Sequence, residues 1–189
     1  MIQTATTTYA SIFKAATGRA APALGRGNLA SPGQVRQRAE IRRITNPELR
    51  DHLLRLSPAD RYLRFGHCMT DDNICVYATQ AAVTASLIFG LVVNSEARGI
   101  VELRPSSESS SRLELGLSVE AQWRGQGYGT DLVEHALAAA SASRTDAVFA
   151  LINCSNRDMR TIAGKLGAAF TERHGEIHAE WALSPVAVV

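Results

Sequence analysis

The segment Leu113-Glu-Leu-Gly-Leu-Ser-Val119, a short turn, and Arg124-Gly-Gln-Gly-Tyr-Gly129 constrain this chain more than any other stretch. Leu113, Leu115, Leu117 and Val119 alternate with Glu114, Gly116 and Ser118, which predicts a strand with one apolar face. Leu132, Val133, Ala136, Leu137 and Ala140 then share one face of a helix expected over about 129–141. A strand thus runs through a glycine-rich turn into a helix N-terminus. Glycines let backbone N–H groups approach oxygen atoms, and the helix dipole adds positive potential. Arg124 adds a guanidinium suited to a charge-assisted contact. The expected ligand is a phosphate or pyrophosphate. A tight connection that merely needs positive φ is the plainer reading. Three glycines in five residues, preceded by Arg and opening an amphipathic helix, favour the ligand site.

Two familiar phosphate motifs fail. No lysine lies between Lys14 and Lys165, which excludes a Walker loop. Gly125, Gly127 and Gly129 give G-x-G-x-G, with Thr130 where a dinucleotide fingerprint needs its third glycine. An early βαβ unit is also missing from the pattern.

Around this segment the pattern predicts a mixed α/β sheet, mostly antiparallel, with helices packed on it. A first strand is expected near 40–45. Short helices follow at about 47–55 and 58–65, the first capped by Asn46 and the second by Ser57 with Asp60. A third helix runs to about Gln80. Strands near 85–93, 98–104 and 112–119 form a meander. After the glycine turn and its helix come a strand at 148–152, read as covered on both sides. A helix with Met159, Ile162, Ala163 and Leu166 inward follows, then a last strand near 177–183. One domain is expected over 39–184, with an arm at 1–38 and a tail at 185–189.

Composition limits the function classes. A net charge of +2 gives no electrostatic case for nucleic acid. Three cysteines without a Cys-x-x-Cys pair suggest neither a disulfide framework nor zinc, and fit a reducing cytoplasm. No acid precedes Glu40, so the arm also has the composition of a transit peptide; a floppy arm is the simpler reading. The charge-free stretch Asn73–Ser95 has the length of a membrane span, but its polar residues and β-branched second half favour a buried strand. No membrane partner is expected. His174 and His178 sit astride Gly175 and form no helical zinc pair.

Arg124-x-x-Gly127-x-Gly129 resembles the Arg/Gln-x-x-Gly-x-Gly/Ala signature of the GNAT superfamily of acyl-CoA N-acyltransferases. The resemblance covers about residues 40–183. Asn156-x-x-Met159 with Lys165-Leu-Gly167 is similar to a late helix of that family, with Ala168 in place of the usual aromatic. Leu56–Phe65 resembles a bacterial branch that includes protein-lysine acetyltransferase domains. The resemblance implies acetyl-CoA as cosubstrate. Backbone groups from Gln126 through Gly127, Tyr128 and Gly129 to Thr130 would bind the pyrophosphate, with Arg124 and Gly125 leading in. Main chain at Leu117, Ser118 and Val119 would pair with the pantetheine arm like an added strand. Asn156 would approach the same arm; ordinary helix capping is its other reading.

The resemblance also implies acetyl transfer to a primary amine, on a small molecule or a protein lysine, by direct attack in a ternary complex. Glu114 is the candidate base and Glu102 the fallback. A carboxylate on that strand face can take a proton from an ammonium, and burial would suit it to work near neutral pH. The position where many relatives carry an acidic Tyr holds Ala163, so no general acid is assigned. A non-catalytic coenzyme A sensor on the same fold is the alternative. Homodimerisation is left open. Arg61, Tyr62 and Arg64 are read as a solvated helix face, His135 as surface, and Cys154 as a packed thiol.

Overall fold

The structure is a computed structural model, and it describes residues 39–183 apart from 82, 85, 86, 108, 110, 144 and 174. The expectations for the arm, the tail and His174 lie outside the described residues.

β1 (Ala39–Arg43) leads into α1 (Asn46–Arg55). Thr45, not Asn46, is the cap. Both residue types cap helices, but only Thr45 has an acid at the third helical position. Glu48 reaches back to the Thr45 N–H at 2.8 Å and completes a capping box. α2 (Pro58–Phe65) starts as expected, with Ser57 Oγ accepting from the Asp60 N–H at 3.1 Å. α3 spans Asp71–Ala81. The charge-free stretch is therefore divided between α3 and β2 (Leu87–Val93). Among the described residues no helix is long and apolar enough to cross a membrane.

β3 (Glu96–Pro105) and β4 (Arg112–Val119) continue the antiparallel meander. A 3-10 turn at Ala121–Trp123 and the glycine loop lead into α4 (Tyr128–Ser141), then β5 (Ala147–Asn153) and α5 (Arg157–Lys165). The chain closes with a hairpin of β6 (Ala169–Arg173) and β7 (Glu176–Ala182). β6 was not expected from the sequence. It is a short edge strand with Phe170 exposed, so no apolar alternation announces it.

The seven-stranded sheet has the order β1-β2-β3-β4-β5-β7-β6, and among the described residues β4–β5 is its one parallel pairing. Side-chain alternation sends Leu87, Phe89, Val101, Leu103, Leu113 and Leu115 to one face, against α4 and α5. Ile88, Ala97 and Ile100 face the other way, against Leu49, Leu53, Ile74 and Ala78 of α1 and α3. Helices thus cover both faces, as expected. On the second face they cover β2 to β4 but stop short of β5. Leu151 is consequently 45% exposed, which corrects the expectation that this strand is covered on both sides.

Candidate active site

The one parallel pairing is brief. β4 and β5 are in register only from Arg112–Ala147 to Glu114–Phe149. Beyond it β4 stays on β3 as far as Val119 and β5 stays on β7 as far as Asn153. The two strands therefore diverge, and their facing backbone edges do not pair with each other. Leu115, Gly116, Leu117, Ala150, Leu151, Asn156 and Met159 line the resulting gap, with Leu63 and Arg64 of α2 at its mouth. Leu117 sits on its wall, with Ser118 and Val119 continuing the same strand edge. An extended chain of amide groups fits such an edge as an added strand.

The glycine loop lies at the far end of β4. Gly125 and Gly127 have φ of +72° and +89°, and a Cβ on either would meet nothing within 4 Å. Positive φ and an open cradle therefore hold together. Gly127 caps α4 without any side-chain hydrogen bond. The Thr130 N–H donates to the Gly127 carbonyl at 2.9 Å, so it is taken up inside the first turn. The N–H groups of Gly125, Gln126 and Gly127 have no backbone partner among the described residues. With Tyr128 and Gly129 at the start of the helix they form the cradle, whose polarity suits a diphosphate.

Arg124 is engaged within the protein. Its Nε donates to the Val119 carbonyl at 2.8 Å, and its Nη2 lies 2.7 Å from Asp60 Oδ1. The guanidinium ties the loop to the end of β4 and to the start of α2. Burial raises the Asp60 carboxyl, but Ser57 and Arg124 outweigh it and hold the pKa below the ordinary value.

Asn156 caps α5, its Oδ1 accepting from the Met159 N–H at 3.1 Å. It also lines the gap. The two readings of this residue are compatible, because capping uses the oxygen and leaves the amide nitrogen to reach a carbonyl.

On the opposite face of β4, Glu114 accepts from Arg104 Nη2 at 3.2 Å. The pair is cross-strand, Arg104 of β3 opposite Glu114 of β4. Its side chains are about one-third exposed, so Glu114 lies between a buried base and a fully exposed polar face. Arg64, Phe65, His67, Met69 and Tyr77 complete a depression beside it. Burial opposes the charge on Arg104, but Tyr77, Glu102 and Glu114 together raise its pKa.

Beneath this depression Glu102 is 1% exposed. Its Oε2 accepts from Arg64 at 3.0 Å and from the Tyr77 hydroxyl, while Oε1 has no partner among the described residues. Burial, more than the adjacent Glu102, pushes the Tyr77 phenol up to about 12 and keeps it a donor. The fallback base is therefore the anchor of a buried ion pair. Arg64 lies flat on Gly116, where a Cβ would stand 2.1 Å from its Cζ.

Arg61 is also buried, held by Asp71, the Met69 carbonyl and the Leu54 carbonyl. Of the three residues read as a solvated face, only Tyr62 is exposed. Cys154 is exposed, its thiol donating to the Gly175 carbonyl. His135 is half-buried, its ring centroid 4.6 Å from that of Phe89. Ala163 is fully buried and offers no proton.

A network absent from the sequence reading centres on His52, which is fully buried. Nδ1 faces the Ala97 carbonyl at 3.3 Å and Glu120 Oε1 at 3.5 Å, both acceptors, so it carries the proton. Nε2 therefore accepts from the Ser118 hydroxyl at 2.9 Å. Burial lowers the His52 pKa in spite of Glu120. Glu120 is held by Arg55 at 2.8 Å and Arg98 at 3.1 Å. The Ser118 side chain is thus committed to α1. Its main chain lies on the β3 side of the strand, two residues from Glu120, whose N–H donates to the Arg98 carbonyl, so Leu117 and Val119 are the residues whose main chain faces the gap. Thr45-x-x-Glu48 was a legible signal for α1, but nothing local indicates that His52 meets Ser118.

Comparison with known proteins accords with this geometry. Residues 34–169, well over half of the chain, match the family described as the acetyltransferase (GNAT) domain. Comparison with curated protein sequences gives no match. The GNAT domain of S. lividans PAT superposes with a TM-score of 0.66 at 18% identity, over 77% of this chain and 90% of that one. A putative acetyltransferase from Salmonella typhimurium, yncA, solved with acetyl-CoA, gives 0.64 at 13% identity, over 80% and 98%. The PaiA N-acetyltransferase of Thermoplasma acidophilum, solved with coenzyme A, gives 0.61 at 13%, over 77% and 99%. At these identities the structural likeness is one of fold. The matched domain, together with the glycine loop and the divergent strands, shows that the chain belongs to the GNAT acetyltransferase family.

Proposed function

We propose that this acetyl-CoA-dependent N-acetyltransferase acts on a primary amine by direct attack in a ternary complex, with Glu114 as the base. The divergence of β4 from β5 beside the open glycine loop is the observation that carries the reading. Backbone N–H groups of Gln126, Gly127, Tyr128 and Gly129 would hold the diphosphate of coenzyme A. The β4 edge at Leu117 to Val119, with the Asn156 amide opposite, would hold the pantetheine arm. Arg124 keeps both in register by bonding the Val119 carbonyl.

Acetyl-CoA supplies the acyl group as a thioester. Glu114 faces the acceptor depression and takes the proton that the amine loses as the C–N bond forms and the C–S bond breaks. Main-chain N–H groups near Val119 supply the polarising donors. A thiol has an ordinary pKa of about 8.5, so the leaving thiolate can take its proton from water.

E114Q is expected to lower turnover by about 10²-fold or more while acetyl-CoA still binds by calorimetry. Unchanged turnover would remove Glu114 from the chemistry. Binding of acetyl-CoA without thioester consumption across an amine panel would favour a sensor instead.

A further inference from the structure

We propose that the depression beside Glu114 is built for an amine carrying its own carboxylate a few bonds away, an α-amino acid or a comparably short zwitterion. Glu114 would take its ammonium and Arg104 its carboxylate. This rests on the acetyl-transfer reading above.

The two side chains stand directly opposite one another on β4 and β3, joined by a single 3.2 Å contact through Arg104 Nη2. Cross-strand neighbours hold their Cβ atoms about 5 Å apart, so they present an anion and a cation side by side. A bare ammonium competes with Arg104 for Glu114 and offers the half-buried guanidinium nothing in return, leaving Glu102 as its charged neighbour. A zwitterion exchanges one ion pair for two. The planar guanidinium has five N–H donors and grips a carboxylate in a bidentate fork, so it can serve Glu114 and a substrate together.

The surroundings point the same way. Arg64, paired with Glu102, lies across Gly116 and brings a second set of guanidinium N–H donors to the lining of the depression. Glu114 is the one carboxylate among the residues lining the depression, with Arg64 and Arg104 beside it. Phe65 and Tyr77, edge to face at 5.0 Å, give an apolar wall for the substrate's body.

The test compares matched pairs on the full chain, such as phenylalanine against phenethylamine and leucine against isoamylamine. Spermidine and a lysine-containing peptide are further arms. Thioester consumption should favour the amino acids about tenfold or more in kcat/KM. R104M should raise KM for the amino acids at least about fivefold more than for their decarboxylated partners. Equal or better use of the decarboxylated amines, spermidine or the peptide overturns the proposal and leaves acetyl transfer standing. No thioester consumption with any amine, or no binding of acetyl-CoA, overturns the underlying reading as well. Should R104M fail to fold, the wild-type ratios alone decide.

Discussion

A side chain at position 116 would collide with the Arg64 guanidinium, which lines the depression beside Glu114. G116A should therefore push Arg64 off Glu102, at a cost of about 1–3 kcal/mol read from urea unfolding. R64M should cost more, about 3–5 kcal/mol, because it leaves a carboxylate that is 1% exposed with the Tyr77 hydroxyl and no cation bonded to it. Equal stabilities for wild type and R64M would mean that the Arg64–Glu102 pair contributes nothing to the fold. At this scale the sequence is legible where the pattern is local. The alternation of Leu113 to Val119 placed Glu114, Gly116 and Ser118 on one face correctly. It could not show that Arg64 meets Glu102 or that His52 meets Ser118, because such pairs join distant segments through packing that no local period encodes.

Among the elements, α5 offers the sharpest separation of structure from ligand binding. N156A removes the cap and should cost about 1 kcal/mol. N156D keeps an oxygen for the Met159 N–H but loses the amide donor. It should preserve the melting temperature while weakening coenzyme A binding, measured by calorimetry. Equal affinity for N156D and wild type would reduce Asn156 to a cap. Helix starts were readable to within a residue, since Ser57 with Asp60 and Thr45 with Glu48 carry their own hydrogen-bond chemistry. β6 was not readable, because an edge strand paired only with β7 needs no buried side to hold its register.

For the whole molecule, acid should act in two stages. Burial lowers the pKa of His52 and His135 in the folded chain. Below about pH 6.5 the unfolded chain binds protons that the folded one refuses, so stability falls as pH drops. Glu48, bonded by Arg42, and Glu120, whose burial is outweighed by His52 and Arg55, are both held down to about 2. Their contribution is complete above the ordinary carboxylate value of 4.5 and is lost between there and about 2. Urea midpoints should therefore decline between about pH 7.5 and 5, then fall again below about pH 4.5. A flat midpoint over the first interval would mean that His52 protonates without unfolding.

The divergence of β4 and β5 has one more effect. Two strand edges bared in mid-sheet can template a foreign strand, and the Arg124 contact to the Val119 carbonyl covers just one end of them. A pantetheine thread laid between them would act as a plug. Coenzyme A should accordingly delay clumping on heating by more than its mass-action gain in melting temperature explains, which light scattering alongside calorimetry would register.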